Sequence, residues 1–167
     1  FFKGCSNACA WCHNPESLRS EPELQVFQDK CIGCGRCLDA CSVGAHENRE
    51  GQKVFHRNRC VRCGRCAEEC FAQALAMAGT ETSVDDLMVE IRKDLAYYGP
   101  AGHPPKGVAG DDWRGGATFS GGEPIMVGDA LVELLKACRS EGIHTTIQTA
   151  GNYPWNRIEP TVGLADL

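Results

Sequence analysis

The spacing of the cysteines constrains this chain more than any other feature. Eleven of the twelve cysteines in its 167 residues fall into three groups: Cys5/Cys9/Cys12, Cys31/Cys34/Cys37/Cys41 and Cys60/Cys63/Cys66/Cys70. Thiols separated by two or three residues can converge on one metal centre. A disulfide framework is the alternative, but disulfide frameworks typically stabilise small exported domains. This chain is longer than such domains, and we expect no export leader. Zinc also uses paired Cys-x2-Cys motifs, but seldom four thiols in this rhythm.

The second cysteine group returns as the third. The stretch CIGCGRCLDAC at 31–41 is followed 29 residues later by CVRCGRCAEEC at 60–70. In the bacterial two-cluster ferredoxin rhythm, the first three thiols bind one [4Fe–4S] cube and the fourth binds the other. We therefore expect two ligand sets, Cys31/Cys34/Cys37/Cys70 and Cys60/Cys63/Cys66/Cys41. Ser42 and Phe71 stand where proline usually follows the fourth cysteine, which weakens this partner assignment.

Short strand-like segments flank the two repeats, at 24–27, 52–55 and 74–77. Together they predict a compact α+β unit over 22–79 that is too small to be stable without its metal. Arg36 and Arg65 lie inside the repeats, where positive charge would favour a reduced cluster; a solvated surface role is the alternative. His46, His56 and His103 have no metal-ligand spacing to one another and receive no role.

From residue 80 onward the pattern changes to alternating strands and helices. Ser83 with Asp86 predicts a capped helix that runs to about Tyr97, and 99–116 is a long loop rich in glycine and proline. A strand at 117–120 ends in Gly-Gly-Glu-Pro. We then expect a helix that Asp129 caps and Gly142 ends, followed by a strand at 143–149. This order predicts a right-handed parallel βαβ unit. The apolar face of its helix comprises Leu131, Leu134, Leu135 and Cys138.

Both ends of the chain suggest a fragment of a larger α/β domain. Phe1 and Phe2 are predicted to end a strand that leads into the first cysteine group, and 163–167 is predicted to form a further strand. Two or three parallel strands would leave unpaired edges and an incompletely covered core.

The first cysteine group supplies only three thiols, Cys5, Cys9 and Cys12. Three ligands on a cubane leave one iron open, and an open iron is a Lewis-acidic position where a small molecule can bind. The twelfth cysteine, Cys138, lies at an apolar helix position and is expected to be a small buried hydrophobe. His13, beside Cys12, is expected to orient a ligand rather than to bind metal itself.

The sequence resembles the radical S-adenosylmethionine superfamily, and within it the glycyl-radical-enzyme activating proteins that include pyruvate formate-lyase activating enzyme. The resemblance rests on FFKGC-x3-C-x-WCHNPE at 1–16, on TFSGGEP at 118–124, and on EGIHT at 141–145 with Thr149-x-Gly151. It implies a partial (β/α) barrel that starts in 1–21 and continues, truncated, through 80–167. The two-cluster unit at 22–79 would be an insert, as in the larger activating proteins.

The resemblance also implies roles for particular residues. Cys5, Cys9 and Cys12 would hold a third, catalytic [4Fe–4S] cluster, whose open iron binds S-adenosylmethionine. Gly121, Gly122 and Glu123 would receive the cofactor's amino group. Trp11 would pack on the adenine, with a structural aromatic beside the cluster as the alternative. The family's acidic residue before Thr-x-Gly is Gln148 here, so a cation site near the cofactor carboxylate is not expected.

The activity implied is that of a radical S-adenosylmethionine oxidoreductase of the formate C-acetyltransferase-activating type. Reductive cleavage of the cofactor would give a 5′-deoxyadenosyl radical that abstracts an α-hydrogen from a glycine of a partner enzyme. A flavodoxin-like or ferredoxin-like protein would donate the electrons. An electron-transfer polyferredoxin and a radical enzyme that acts on a small molecule are the alternatives.

Composition bears on the binding partners and the cellular compartment of the protein. The formal net charge is −5, so the chain has no basic excess with which to bind nucleic acid. No apolar run reaches the length of a membrane span. We expect a cytoplasmic protein of an anaerobic cell, because oxygen attacks an open-faced cluster.

Overall fold

The computed structural model describes residues 1–98 and 115–166. The chain divides into two compact units. Residues 21–80 form the cysteine-rich unit, and 1–20 together with 81–167 form the βα unit. Most of the loop predicted at 99–116 lies outside the described residues.

Six strands and six helices occur in the described ranges, and the mixed α/β class is confirmed. The strands are β1 (Glu23–Val26), β2 (His46–Arg49), β3 (Gln52–Phe55), β4 (Leu75–Ala78), β5 (Gly116–Phe119) and β6 (His144–Ile147). The helices are α1 (Arg36–Ala40), α2 (Arg65–Glu68), α3 (Val84–Arg92), α4 (Leu95–Tyr98), α5 (Asp129–Ser140) and α6 (Trp155–Ile158). None of the described helices is long and apolar enough to cross a bilayer.

The cysteine-rich unit contains two antiparallel strand pairs. β1 pairs with β4, with Leu24 opposite Met77, and β2 pairs with β3 as a hairpin, with Glu47 opposite Val54. The sequence predicts three of these strands to within one residue but not β2, whose sequence HENR is polar throughout. A strand that buries little apolar surface carries little periodic signal.

The two repeats share a backbone conformation even where their residues differ. Gly33 and its counterpart Arg62 have φ of 77° and 59°, and Gly44 and its counterpart Gln73 have φ of 61° and 51°. All four residues are therefore in the left-handed region, where a side chain is unfavourable. The fold of the repeat sets these angles, and the second copy adopts them without glycine.

The βα unit is built on parallel pairing. β5 and β6 are parallel with Ala117 opposite Thr145, and α5 connects them, which confirms the predicted parallel βαβ order. Phe2 forms a parallel bridge to Gly121 just beyond β5. The start of the chain thus lies beside β5, on the side opposite β6, as expected for a strand end that leads into the first cysteine group.

The apolar face of α5 forms the core of the βα unit. The four residues predicted for this face, Leu131, Leu134, Leu135 and Cys138, are at most 1% exposed. The predicted cap at Asp129 is wrong. Asp129 is the first helical residue, and Gly128 precedes it with no side-chain cap. Gly142 follows the helix with φ of 69°, as predicted.

The predicted helix from Ser83 begins as expected and ends early. The Ser83 hydroxyl accepts a hydrogen bond from the Asp86 amide at 3.1 Å, which confirms the cap. α3 stops at Arg92 rather than continuing to Tyr97, because the amides of Lys93 and Asp94 bond three residues back instead of four. These tighter bonds end the α-helix, and α4 follows as a separate turn.

The strand predicted at 163–167 is absent from its described residues, 163–166. The amides of Leu164 and Ala165 both bond to the Thr161 carbonyl, so this segment is a turn. Asp166 then bonds to Thr145 of β6 through its amide, at 2.9 Å, and through its carboxylate, at 2.8 Å. This stretch is apolar, contains glycine and is too short to show periodicity, so its sequence does not distinguish a strand from a turn.

Leu131→Ala tests the assignment of the core. Leu131 has no exposed surface, so its truncation should lower the free energy of unfolding of the βα unit by about 2–5 kcal/mol. Val89→Ala on α3 is the control, because Val89 is 53% exposed and its truncation should cost about 0.5 kcal/mol or less. Urea unfolding under anaerobic conditions measures both changes, and equal effects would contradict the assignment.

Gln73→Gly and Gly44→Ala test the repeated backbone geometry. Because both positions have positive φ, the first change should stabilise the cysteine-rich unit by about 0.5–1 kcal/mol and the second should destabilise it by about 1 kcal/mol. The two variants should shift the midpoint of urea unfolding in opposite directions. A shift of the same sign in both would show that φ does not limit stability at these positions.

Candidate iron-sulfur centres

Two cavities in the cysteine-rich unit are each lined by four cysteines. The first cavity is lined by Cys31, Cys34, Cys37 and Cys70. The second is lined by Cys41, Cys60, Cys63 and Cys66. In each case the structure brings together three thiols of one repeat and the last thiol of the other, the same grouping that the ferredoxin rhythm predicts. None of the twelve cysteines, all of which lie in the described residues, forms a disulfide.

Short elements place the thiols of each group. In each repeat a 3₁₀ turn, Gln28–Lys30 or Arg57–Arg59, precedes the first cysteine, and a short helix carries the third. Gly35 and Gly64 precede α1 and α2 with φ of 84° and 78°. This left-handed turn, which glycine adopts readily, redirects the chain between the second and third thiols of each group.

Nitrogen donors surround several of the sulfur atoms. The Ala45 amide lies 3.2 Å from Cys41 Sγ, and the Arg62 amide lies 3.4 Å from Cys60 Sγ. The Lys53 ammonium is 3.9 Å from Cys37 Sγ. Such donors stabilise negative charge on sulfur, and therefore favour the thiolate that binds metal.

Burial opposes ionisation of the inner thiols. It raises the pKa of Cys66 to about 11, and the neighbouring sulfurs of Cys60 and Cys41 contribute in the same direction. Burial also raises the pKa of Cys37, against the lowering effect of Lys53. Hydrogen bonding to Arg65 lowers the pKa of the exposed Cys63. The positive charge of a bound metal would counteract this effect of burial by favouring the thiolate.

Each repeat contacts the residue that follows the last cysteine of the other. The Arg36 guanidinium lies 4.2 Å from the centre of the Phe71 ring, and it is paired with Glu69 at 3.5 Å. The Arg65 guanidinium donates to the Ser42 hydroxyl at 2.6 Å. The two positions where ferredoxins usually carry proline are therefore occupied by residues that join the repeats.

His46 lines both cavities, although the sequence analysis assigned it no role. It begins β2, and its ring lies 5.1 Å from that of Phe55 on β3. The residue 29 positions later is Leu75, so the repeat does not mark His46 as a functional position. No group of three or more His, Cys, Asp or Glu side chains in the described ranges is arranged to hold a single metal ion.

The third group of cysteines lies on the loop that follows the Phe2 bridge. Cys5 and Cys12 are partly buried and Cys9 is exposed, and the Cys12 amide bonds to the Cys9 carbonyl at 3.1 Å. At the base of the loop, the Cys5 amide bonds to the Leu18 carbonyl at 3.0 Å. Trp11, predicted to pack on adenine, is 84% exposed on this loop.

The loop is also joined to the segment that follows β6. The hydroxyls of Ser6 and Tyr153 are 2.7 Å apart, and the Asn152 side-chain amide donates to Asn7 Oδ1 at 3.2 Å. These four residues could not be predicted from the sequence, because nothing in their spacing shows that 6–7 and 152–153 lie together.

The backbone of the first cysteine loop lies so close to Gly121 and Gly122 that neither position has room for a side chain. A Cβ on Gly121 would lie 2.4 Å from the Phe2 amide nitrogen, and one on Gly122 would lie 2.2 Å from the Gly4 carbonyl oxygen. The amides of Gly122 and Glu123 bond to the carbonyls of Phe2 and Gly4 at 2.8 and 2.7 Å. These glycines therefore allow the first cysteine loop to lie directly against the end of β5.

Glu123 is 1% exposed and joins the ends of β5 and β6. Its carboxylate accepts from the Thr149 hydroxyl at 2.6 Å, the Ala150 amide at 2.8 Å and the Ile125 amide at 3.1 Å. The Thr149 hydroxyl in turn accepts from the Gly151 amide at 3.0 Å. The Gly-Gly-Glu and Thr-x-Gly motifs, which the sequence analysis treated separately, are therefore connected by one buried carboxylate.

The cysteine-rich unit is an iron–sulfur domain. Residues 30–74 match the family described as a 4Fe-4S dicluster domain. The ferredoxin-like part of the predicted fold is thereby confirmed.

The chain as a whole is similar to activating enzymes. It is 34% identical over 172 residues to the (2S)-3-sulfopropanediol dehydratase activating enzyme of Klebsiella oxytoca, covering 100% of this chain and 50% of that protein. It is 35% identical over 173 residues to the benzylsuccinate synthase activating enzyme of Thauera aromatica, with coverage of 100% and 49%. It is 38% identical over 168 residues to the trans-4-hydroxy-L-proline dehydratase activating enzyme of Clostridioides difficile, with coverage of 100% and 52%.

The chain is thus a homologue of the glycyl-radical-enzyme activating enzymes of the radical S-adenosylmethionine superfamily, and the resemblance that its motifs predicted is confirmed. It spans about half the length of the curated relatives that it matches.

Glu123→Leu and Glu123→Gln test the buried connection between the two motifs. Leucine leaves the Thr149 hydroxyl and the Ala150 amide without their acceptor, at a cost of about 1–3 kcal/mol for each unpaired group. Glutamine keeps one acceptor oxygen and should cost less. Urea unfolding of the βα unit measures the difference, with Glu133→Gln on the exposed side of α5 as the neutral control. Equal stability of the leucine and glutamine variants would show that the hydrogen bonds from Thr149 and Ala150 to the carboxylate do not stabilise the βα unit.

Proposed function

We propose that this chain is the cluster-bearing part of a glycyl-radical-enzyme activase. The protein would cleave S-adenosylmethionine reductively and direct the resulting radical to the α-hydrogen of one glycine in a partner enzyme. The observation that carries the proposal is the combination of a three-thiol loop, held by the Gly-Gly-Glu segment, with a 4Fe-4S dicluster domain in a homologue of activating enzymes.

The fit of the residues to these cofactors rests on the donor sets. Each of the two cavities presents four thiols, which closes a cubane, whereas the first loop presents three. Cys138, the twelfth thiol, is completely buried in the core of the βα unit and lies 3.8 Å from the sulfur of Met88. We infer three [4Fe–4S] clusters: a catalytic one on Cys5, Cys9 and Cys12, and two in the cysteine-rich unit.

When bound, S-adenosylmethionine on an open, reduced cluster supplies the 5′-deoxyadenosyl radical. The chain's own residues then have positioning roles. Gly121 and Gly122 bring the cysteine loop against the end of β5, where ligands bind in parallel α/β sheets. Glu123, with these glycines, would offer acceptors to the cofactor's amino group while it fixes Thr149 and Ala150. Trp11 would cover the adenine.

The domain assignment follows from the same reasoning. We propose that 1–21 and 80–167 are parts of a (β/α) radical S-adenosylmethionine barrel, and that 22–79 is its ferredoxin-like insert. The parallel order of Phe2, β5 and β6 supports the barrel, because it places the cysteine loop at the carboxyl end of consecutive parallel strands.

The partners are proposed on chemical grounds. The two ferredoxin-type clusters would relay electrons from a flavodoxin-like or ferredoxin-like donor to the catalytic cluster. The partner substrate would be a glycyl radical enzyme, in line with relatives that are named as activating enzymes of other enzymes, two dehydratases and benzylsuccinate synthase. Glycine suits the reaction because no side chain blocks approach to its α-hydrogen. We place the protein in the cytoplasm of an anaerobic cell.

Cys9→Ala tests the catalytic cluster. The protein that carries this chain, reconstituted anaerobically, should bind about 12 iron atoms, and the variant about 8, because one cube of three is lost. Formation of 5′-deoxyadenosine from S-adenosylmethionine and dithionite should disappear with that cluster. Iron analysis and chromatography of the nucleoside measure the two quantities.

Cys138→Ala is the matched control, since its thiol lies in the apolar core and lines neither of the two cysteine-lined cavities. It should retain about 12 iron atoms and full cleavage. Loss of all iron from Cys9→Ala would contradict the assignment of independent sites. Unchanged cleavage in Cys9→Ala would contradict the proposed activity.

A further inference from the structure

His46 lies in the wall between the two cysteine-lined cavities. Within the described residues it alone lines both of them. Its position at the start of β2, opposite Phe55 of β3, places the ring against the Phe55 ring at 5.1 Å. The hairpin therefore fixes the ring at the boundary between the two sets of thiols.

The Nε2 atom of His46 is buried and has no hydrogen-bond partner among the described residues. A buried polar atom without a partner is costly, so such an atom on a residue that lines a cavity indicates a ligand that satisfies it. Both cavities are lined by cysteine thiols, and the ligand expected in each is an iron–sulfur cluster, whose sulfur atoms accept hydrogen bonds.

The ring can act as a donor at Nε2 in either charge state. A neutral imidazole can carry its one N–H on Nε2, and the imidazolium carries an N–H on both ring nitrogens. In addition, Lys53 lines the first cavity, with its ammonium 3.9 Å from Cys37 Sγ.

The second repeat has no such donor. Leu75, the counterpart of His46, is apolar and 7% exposed, and it lines only the first cavity. The fold of the repeat thus accommodates leucine at this position, and histidine adds a polar function to a site that does not require one for packing.

We propose that the Nε2–H of His46 donates a hydrogen bond to a sulfur atom at the boundary between the two ferredoxin-type clusters and raises the reduction potential of the accepting cluster. A reduced cube carries one more negative charge than the oxidised cube, so a hydrogen-bond donor stabilises the reduced form. His46 is therefore a positioning residue for electron transfer through the cysteine-rich unit. The inference rests on the proposed pair of [4Fe–4S] clusters in that unit.

His46→Leu, which installs the side chain used by the other repeat, tests the inference. An EPR-monitored redox titration of the reconstituted protein should show a lower potential for one ferredoxin-type cluster. At a fixed potential its ratio of reduced to oxidised form should fall about tenfold, equivalent to about 59 mV for one electron. His56→Leu is the control, because His56 lies on the same hairpin, pairs with Glu47 at 2.8 Å and lines neither cavity.

A measurement on the unmodified sequence complements the variant. With ¹⁵N-labelled histidine, pulsed EPR of the reduced protein should detect coupling of a histidine nitrogen to a ferredoxin-type cluster, and this coupling should persist in His56→Leu. Unchanged potentials in a fully loaded His46→Leu protein would overturn the inference. So would the absence of histidine coupling, even if the leucine variant fails to fold. Failure of the parent protein to bind two ferredoxin-type clusters would instead refute the proposed function on which the inference rests.

Discussion

The exchange of the fourth cysteine between the two repeats is the constraint on which the cysteine-rich unit depends. Cys70 reaches the cavity of the first repeat, and Cys41 reaches that of the second. Its buried cluster of apolar residues comprises only Leu24, Cys66 and Leu75. So small a core offsets little of the entropy lost on folding, and with the proposed ligand sets metal coordination across the repeats would supply much of the rest. The contacts of Arg36 with Phe71 and of Arg65 with Ser42 follow the same exchange.

In the βα unit the corresponding constraint is the close contact between the backbone of the first cysteine loop and the end of β5. Gly121 and Gly122 allow the first cysteine loop to approach the end of β5, at distances that no side chain would permit. The buried carboxylate of Glu123 then holds the segment after β6. Three stretches of sequence that are far apart thus meet at one end of the parallel strands. The geometry of the proposed cofactor site follows from these hydrogen bonds rather than from the cysteines alone.

The two repeats have similar backbones and different electrostatics. Arg62 and Gln73 adopt the left-handed angles of their glycine counterparts, so the second copy keeps the geometry of the first. In contrast, the donors near the thiols differ: Lys53 lies beside Cys37, and Arg65 lies beside Cys63. Two clusters held by these similar backbones would therefore have different hydrogen-bond donors beside their thiols.

From the sequence alone we could predict the groups of thiols, the repeat, the apolar face of α5 and the family. Each of these is encoded in short-range spacing, either between ligands of one cluster or along one helix. The sequence did not reveal that Asp129 is the first residue of α5, that α3 ends at Arg92, or that 163–166 forms a turn. Local hydrogen bonds decide these features, and such bonds leave little signal in the sequence. Only the tertiary structure showed that Glu123 connects two motifs, that Ser6 meets Tyr153, and that His46 lies between the two cavities. Those relations join residues that are distant in sequence, and a pattern read along one chain does not record which distant residues pack together.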